Sequence, residues 1–396
     1  MIFLTSKGLR WAVALTSLIL LFGLLPPFIL SLTLLFLLMV FCSKLKHGEY
    51  LFVIVISLIF SLVNKEKLIV SDLYNYKEYF DLIKSGVITI DFSNTYISVK
   101  PTEVMFYIYN LTLGHFFDFK GYMFVTSFII YGVIGYSAIE LMRYISDSLE
   151  LQVNNVVKIY LILFFAMFVA ITFSQTLHLV RQYLALSFLF LGISLLIRDN
   201  KLTGCISLIF SILTHNSMVL PLIILGVAIF TFRSKYHKIS LVSVGFVFII
   251  SKVFMYYISL RYPYFNDMDN GSIPLSLILI DFILATVFFF VFYVYKVEKT
   301  IAYYICLFYL LFLFSVSSNE FVFLRFYFAM DFIRVIMFSY ILYYLSLGRF
   351  DNFLIFGFVL FPIVFILRLH FNPWFYGFDM DYLIGGFFVP VLFDLV

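Results

Sequence analysis

Apolar residues along this chain occur in long continuous blocks separated by short polar connections. A block of about 20 apolar residues is long enough to cross the hydrocarbon core of a bilayer as a helix. The blocks do not alternate apolar and polar positions, as the strands of a transmembrane barrel would. The sequence therefore predicts an all-α polytopic integral membrane protein with about 12–14 transmembrane helices.

The whole chain, residues 1–396, is predicted to form a single transmembrane domain. Residues 65–120 are predicted to form an extracytoplasmic loop. Within that loop, residues 104–117 are short and interrupted by Asn110 and Gly114, so we expect an interfacial or re-entrant element there. The predicted spans lie near residues 11–25, 28–42, 50–64, 121–142, 155–175, 179–197, 202–214, 216–232, 239–258, 273–295, 300–318, 324–346 and 351–369.

Composition supports the membrane assignment and narrows the function. The chain is 64% hydrophobic and only 12% charged, whereas soluble domains carry about 25% charged residues. The sequence shows no clustered basic face, which argues against a nucleic-acid partner. Its three cysteines have no CxxC spacing, and no nucleotide-binding or hydrolase motif is present. We therefore expect no cofactor and no metal site.

Basic residues in the loops predict the orientation, because cytoplasmic loops are enriched in lysine and arginine. With a cytoplasmic N-terminus, the loops that contain Arg143, Arg198 and Arg233 all fall inside. The outer side then collects a group of polar residues, which places the chemistry at the extracytoplasmic face: Asp72, Lys100, Glu103, His178, Arg181, His215, Glu320, Arg325, Arg368 and His370.

The segment from Phe173 to Ile197 begins with the most informative polar pattern. On a helix, Ser174, His178 and Arg181 lie on one face, and Gln182 flanks it. An arginine facing lipid costs at least about 2.5–3.5 kcal/mol, so this face is expected to line a protein cavity. A guanidinium matches the oxygens of a phosphate group. The alternative is that Arg181 extends to the outer lipid headgroups.

Two shorter motifs precede this segment. Asp72, Tyr76 and Tyr79 share one face of a predicted amphipathic helix, which would either contact sugars or anchor the chain at the interface. Lys100 and Glu103 stand at the start of the re-entrant candidate. Glu103 would act either as a general base or as the cap of that helix.

Further charged residues occur toward the C-terminus. His215 stands at the tip of a predicted hairpin, where an imidazole would suit proton transfer near neutral pH. Arg325 is a second candidate for a phosphate contact. Asp331 with Arg334, and Glu140 with Arg143, are predicted to form internal ion pairs. Asp281, a solitary intramembrane carboxylate, is a further candidate to face Arg334.

The order of these motifs resembles the EpsG-like, Wzy-type bacterial polysaccharide polymerase family. That family has a D-x-x-x-Y loop, an E-P-x-F-like element, an R-Q-x-x-A helix start and an H-x-S turn in this sequence order. Here they are matched by Asp72 with Tyr76, by Glu103, by "RQYLA" from Arg181 and by "HNS" from His215. Val104 stands where the family usually has proline.

The resemblance implies a GT-C-like helical fold in the bacterial cytoplasmic membrane, with an outward-facing site. It implies a polymerase that joins repeat units carried on undecaprenyl diphosphate. The partners that it implies are membrane lipid, a flippase and a chain-length regulator. In this role the candidates for the general base are His215, Glu103 and Asp72. The diphosphate would be contacted by Arg181, Arg325, Lys100 and Arg368. The glycan would be contacted by Tyr76, Tyr79, Gln182 and His178.

Two other functions remain open at this point. A flippase or transporter of lipid-linked sugars would also need a charged lumen, although its site is expected near the membrane midplane. A membrane O-acyltransferase would use a buried histidine, but usually one that a cytosolic donor can reach.

Overall fold

The computed structural model describes Leu45 and residues 47–69, 72–86, 103–148, 156–170, 176–234, 237–261, 275–294, 300–317 and 319–345. Every regular element in these ranges is helical, which confirms the predicted all-α fold. The chain divides into two compact units, the first formed by Met1–Asn216 with Arg349–Val396 and the second by Ser217–Gly348.

The first unit contains seven α-helices among its described residues. A π-helical turn, Phe165–Ala170, extends the fifth of them. The helices are α1 (Gly48–Asn64), α2 (Asp72–Lys84), α3 (Val104–Phe116), α4 (Phe119–Ser148), α5 (Val156–Phe164), α6 (Val180–Ile197) and α7 (Lys201–Thr214).

The second unit contains six α-helices within the part of the chain that the structure describes. A 3-10 turn at Asn216–Met218 precedes the first of them. They are α8 (Val219–Arg233), α9 (His237–Arg261), α10 (Leu275–Val294), α11 (Ile301–Val316), α12 (Glu320–Tyr327) and α13 (Met330–Leu345).

Three stretches in the described residues are long and apolar enough to cross a membrane: Phe119–Asp147, Val180–Ile197 and Asn216–Arg233. Five shorter apolar helices accompany them. These helices confirm a polytopic membrane protein, whereas the total of 12–14 spans stays a prediction. The predicted spans at 11–25, 28–42 and 351–369 lie outside the described residues.

One predicted span is wrong in its continuity. Residues 324–346 do not form a single helix, because a turn at Phe328 and Ala329 separates α12 from α13. Backbone hydrogen bonds from Ala329 to Phe326 and from Asp331 to Phe328 tighten the chain to an i→i−3 pattern there. Hydrophobicity is uninterrupted across this turn, so the apolar pattern gave no sign of it.

The hairpin of α6 and α7 crosses at two glycines. A Cβ atom on Gly192 would lie 2.5 Å from a methyl carbon of Leu208 and 3.1 Å from the carbonyl oxygen of Gly204. A Cβ atom on Gly204 would lie 2.9 Å from a side-chain carbon of Leu196 and 3.2 Å from the Gly192 carbonyl oxygen. Small residues of this kind allow the two backbones to approach closely. This crossing lies near the connection at residues 198–200 and packs the two helices closely from there.

A hydrogen bond fixes the hairpin at its other end. The hydroxyl of Ser211 donates to the carbonyl oxygen of Ala185 at 2.7 Å, and the bond is buried. Ser211 lies in the last turn of α7, and Ala185 lies in the second turn of α6. Arg181 and His215 therefore lie at one end of one hairpin, although 34 residues separate them in sequence.

Charged residues cluster at the opposite end of the first unit. Arg143 lies 2.8 Å from the carboxylate of Glu49 and 3.5 Å from that of Glu140, which confirms the predicted Glu140–Arg143 pair. Arg198, directly after α6, contacts Glu140 at 3.3 Å and Asp147 at 2.9 Å. These contacts tie the ends of α1, α4 and α6 together.

The second unit contains a buried charged cluster of its own. Arg334 donates to both carboxylate oxygens of Asp281, at 2.6 and 2.9 Å, and to Asp331 at 2.5 Å. Tyr327 also donates its hydroxyl to Asp281. The predicted Asp331–Arg334 pair is confirmed, and Asp281 faces Arg334. A bidentate guanidinium–carboxylate pair of this type needs good geometry to offset the cost of burying two charges.

The glycine crossing can be tested by adding one methyl group. We expect Gly192→Ala to lower the free energy of unfolding by about 1–2 kcal/mol, because the new carbon overpacks the α6–α7 interface. Gly132→Ala is the matched control on α4, since its Cβ would meet only the Ser57 hydroxyl, at 3.8 Å. Denaturant unfolding in detergent measures both. Equal stability of the two variants would contradict the close crossing.

Candidate functional site

The candidate site is built around the carboxylate of Glu103. This side chain is only 2% exposed, and both of its oxygens have partners. One oxygen accepts a hydrogen bond from Nη1 of Arg181 at 2.7 Å, and the other lies 2.8 Å from Nδ1 of His215. Glu103 therefore bridges a guanidinium and an imidazole that come from α6 and from the end of α7.

Glu103 occupies the N-cap position of α3, but its side chain makes no capping hydrogen bond. Of the two roles proposed from sequence, the capping role is therefore wrong. The carboxylate still lies beside the positive end of the α3 dipole, which favours its ionised form. Its side chain is directed across the unit, toward α6 and α7.

Arg181 lies in the first turn of α6, and about a third of its side chain is exposed. Its guanidinium carbon is 5.8 Å from the ring centroids of both Tyr76 and Phe106. These rings hold the guanidinium by cation–π contact. Its Nε is buried and has no hydrogen-bond partner in the described structure. The arginine thus keeps a buried donor beyond its contact with Glu103.

His215 is the C-cap residue of α7, in extended conformation, and its side chain is 13% exposed. A carboxylate can only accept hydrogen bonds, so the ring nitrogen that faces Glu103 must carry the proton. In the neutral imidazole the other nitrogen, Nε2, then has a lone pair. A carboxylate that orients a histidine in this way is the arrangement used by many general bases.

An aromatic wall borders the guanidinium. The ring of Tyr79 is stacked on that of Phe106, with centroids 6.1 Å apart and an interplanar angle of 9°. Tyr76 meets Phe106 edge-on at 6.0 Å. Burial raises the pKa of Tyr76 despite the opposing charge of Arg181, and burial raises the pKa of Tyr79 as well. Both phenols therefore stay protonated, and the buried hydroxyl of Tyr79 has no partner among the described residues.

A family model for the EpsG family matches residues 49–376, which is more than half of the chain. The chain belongs to the EpsG family. No curated protein and no solved structure matches it significantly. Membership identifies a membrane protein of polysaccharide biosynthesis, of the glycosyltransferase-type polymerase class.

The other predicted site residues of this EpsG-family chain are distributed as follows. Gln182 is buried on α6, and His178 is partly buried in the turn before that helix. Asp72 is exposed at the start of α2, one turn from Tyr76. Arg325 is exposed on α12, in the second unit. Lys100 and Arg368 lie outside the described residues.

Two residues near the site were missed by the sequence interpretation. Phe106 supplies a ring that contacts both tyrosines and lies 5.8 Å from the guanidinium carbon, and its position three residues after Glu103 was the available signal. Lys67, in the loop after α1, is only 3% exposed. Burial of His178 and, to a smaller extent, the charge of Lys67 lower the pKa of the His178 imidazole to about 4. A single lysine after an apolar helix gives no sign that it will be buried.

The coupling of Glu103 with Arg181 can be measured by a double-mutant cycle. For Glu103→Gln and Arg181→Met we expect a coupling of about 1–2 kcal/mol in unfolding free energy, because either change alone leaves a partly buried charge. The matched control is the exposed Lys77–Asp81 pair on α2, in which Nζ of Lys77 lies 2.6 Å from a carboxylate oxygen of Asp81. Its cycle should give no measurable coupling. Strict additivity at Glu103 and Arg181 would contradict the pairing.

Proposed function

We propose that this protein polymerises a bacterial surface polysaccharide by joining repeat units that are carried on undecaprenyl diphosphate. The reaction takes place at the outer face of the cytoplasmic membrane. The observation that supports this proposal is the bridge of Arg181, Glu103 and His215. It brings a guanidinium, an imidazole held by a carboxylate, and aromatic rings together at one end of the first unit.

The transfer requires one bond to form and one to break. The hydroxyl oxygen of the acceptor glycan attacks the anomeric carbon of the donor and forms the glycosidic bond. The bond between that carbon and the phosphate oxygen breaks, and its electron pair leaves with the lipid diphosphate. The hydroxyl proton moves to a base on the protein. The site must therefore remove one proton and stabilise one departing anion.

Arg181 is proposed to stabilise the departing diphosphate. A guanidinium has five N–H donors, and Glu103 engages one of them through Nη1. The buried Nε, which has no partner among the described residues, is therefore available to a phosphate oxygen. Glu103 keeps the guanidinium in place before the substrate arrives, so little reorganisation is needed during the reaction.

His215 is proposed to act as the general base, through Nε2. Glu103 is less suited to this role, because both of its oxygens already have partners. It acts instead on His215, by fixing the tautomer and the ring orientation. Asp72 is exposed at the start of α2, where it stays the third candidate.

The remaining predicted residues keep their proposed roles around this centre. Tyr76 and Tyr79 present neutral phenols beside Arg181, and stacking on such rings is a common way to hold sugars. Gln182 and His178 flank the guanidinium along the chain and would contact the glycan. Further cations for the lipid carrier are proposed at three positions: Lys100, Arg325 and Arg368.

The proposed outward orientation follows from the two ends of α6. Arg181 and Arg198 mark these ends and are separated by about 25 Å at a helical rise of about 1.5 Å per residue. Arg198 belongs to the cluster with Arg143, and basic loops favour the cytoplasmic side. A site at one end of its helices also favours a polymerase over a flippase, whose site would lie near the midplane. A flippase and a chain-length regulator remain proposed partners.

The test is a polymerisation assay with purified protein and a repeat unit linked to undecaprenyl diphosphate. We expect a ladder of products from the wild type. His215→Gln should lower kcat about 10²–10⁴-fold, because the acceptor hydroxyl loses its base. Arg181→Lys should also impair the ladder, since a lysine cannot replace the planar fork.

His115→Gln is the matched control for the histidine, because His115 is exposed near the end of α3 and contacts Phe116. It should build the ladder like the wild type. A full ladder from His215→Gln would contradict the base assignment. A full ladder from Arg181→Gln would contradict the diphosphate contact.

A further inference from the structure

Tyr79 on α2 has a buried hydroxyl that the fold leaves without a hydrogen bond. No partner for its oxygen exists among the described residues. A buried polar group of this kind costs stability, because it has lost its contact with water and gained no other contact in return. Such groups are rare in folded proteins, and each one calls for an explanation. Beside a candidate site, a ligand that supplies the missing acceptor is the functional explanation.

Packing fixes the ring that carries this hydroxyl. The ring stacks on Phe106, with centroids 6.1 Å apart and an interplanar angle of 9°. It also packs against the buried side chains of Ile83 and Tyr107. Phe106 is held in turn, because its carbonyl oxygen accepts a hydrogen bond from the side-chain amide of Asn110 at 2.7 Å. The hydroxyl of Tyr79 therefore has a defined position before a ligand arrives, which lowers the entropic cost of binding.

The ring of Phe106 joins Tyr79 to Arg181. Its centroid lies 5.8 Å from the guanidinium carbon, so the guanidinium and the phenol ring are both in contact with Phe106. The pKa of the Tyr79 phenol is raised by burial and also responds to the charges of Arg181 and Glu103. The Nε of Arg181 is itself buried and without a hydrogen-bond partner in the described ranges. Two side chains, each with an unbonded buried donor, therefore lie against one aromatic ring.

The chemistry of these two donors indicates the kind of ligand. Burial keeps Tyr79 protonated by raising its pKa, so its hydroxyl is able to donate a hydrogen bond. The guanidinium of Arg181 has donors only. A ligand that meets both side chains must offer acceptor oxygens, and a negatively charged oxygen forms hydrogen bonds roughly twice as strong as those of a neutral one. A phosphate group presents several such oxygens on one phosphorus atom.

We propose that the hydroxyl of Tyr79 donates a hydrogen bond to an oxygen of the lipid diphosphate that binds at Arg181. This inference rests on the proposed function and adds to it a neutral donor for the departing anion. Negative charge develops on the phosphate as its bond to the anomeric carbon breaks, so the hydrogen bond strengthens during the reaction. Tyr79 keeps its proton throughout, and the proton of the acceptor hydroxyl still moves to His215. The donor sugar is joined to the same phosphate, so the contact is compatible with the glycan contact proposed for this residue.

The stability of Tyr79→Phe tests whether the hydroxyl is unbonded in the free protein. This change removes the hydroxyl and keeps the ring on Phe106. We expect the variant to unfold in detergent at the same denaturant concentration as the wild type, or at a higher one. Tyr309→Phe is the contrasting control and should unfold at a lower concentration, because the buried hydroxyl of Tyr309 donates to the carbonyl oxygen of Phe326 at 2.7 Å. A lower midpoint for Tyr79→Phe would show that its hydroxyl is already bonded, and would overturn the inference.

The binding test uses inorganic pyrophosphate, which carries no sugar and therefore reports on phosphate contacts alone. Its affinity for the full-length protein is measured by titration calorimetry and by inhibition of the polymerase. Tyr79→Phe should weaken pyrophosphate binding about tenfold to a hundredfold, as expected for a lost hydrogen bond to a charged group. Tyr74→Phe is the matched control on the same helix, because Tyr74 is 58% exposed, and it should bind like the wild type. Equal affinities of the two variants would overturn the inference.

Arg181→Lys distinguishes this failure from a failure of the proposed function. If Arg181→Lys weakens pyrophosphate binding while Tyr79→Phe does not, the diphosphate site stands and the Tyr79 contact is wrong. If Tyr79→Phe raises only the KM for the lipid-linked repeat unit, its hydroxyl contacts the glycan and not the phosphate, and the inference is again wrong. If neither variant binds pyrophosphate more weakly than the wild type, the proposed diphosphate site itself fails, and the Tyr79 contact fails with it.

Discussion

The structure of the site depends on one buried carboxylate. Glu103 is withdrawn from water, and a carboxylate in that position must be compensated by charge and hydrogen bonds. Arg181 supplies the charge and His215 supplies the second hydrogen bond. The start of α3, the first turn of α6 and the end of α7 must therefore lie together for any of the three side chains to be stable. The close packing of α6 on α7 and the bond from Ser211 to Ala185 hold two of these three segments together.

This constraint links folding to chemistry. A guanidinium that is already bound by Glu103 and lies beside the rings of Tyr76 and Phe106 loses little freedom when the proposed phosphate group binds. The same carboxylate sets the tautomer of His215, so one residue orients both the guanidinium and the proposed base. At the other end of α6, Arg198 and Arg143 are saturated by acidic partners and hold the helices together. The first unit thus has one end suited to reaction and one suited to stability.

Much of the fold could be predicted from sequence, because apolar blocks determine where helices lie in a membrane. The spans at 179–197 and 202–214, which form α6 and α7, and the helix α2 were expected within a few residues of their observed bounds. The ion pair of Asp331 and Arg334 followed from helical spacing. The break at Phe328 and Ala329 did not, since it depends on local hydrogen bonding inside the apolar stretch 326–330.

The candidate site was only partly predictable. Arg181, Glu103 and His215 were each selected by their polarity, but their contact was not, because 112 residues separate Glu103 from His215. Lys67 was missed for a similar reason. Its burial results from contacts of Asn64 and Glu66 with α4, and no local pattern encodes such contacts. The sequence identified polar residues that are energetically costly to bury in a membrane protein. Only the tertiary structure showed which of them contact one another.

The most direct test of this account is a kinetic cycle between Glu103→Gln and His215→Gln, measured as kcat for polymerisation of the lipid-linked repeat unit. If Glu103 acts by orienting His215 as well as Arg181, then Glu103→Gln lowers kcat by a clearly smaller factor in the His215→Gln background, where only its effect through Arg181 remains, than in the wild type. If the two losses multiply in the double variant, Glu103 and His215 act independently, and the central claim is contradicted.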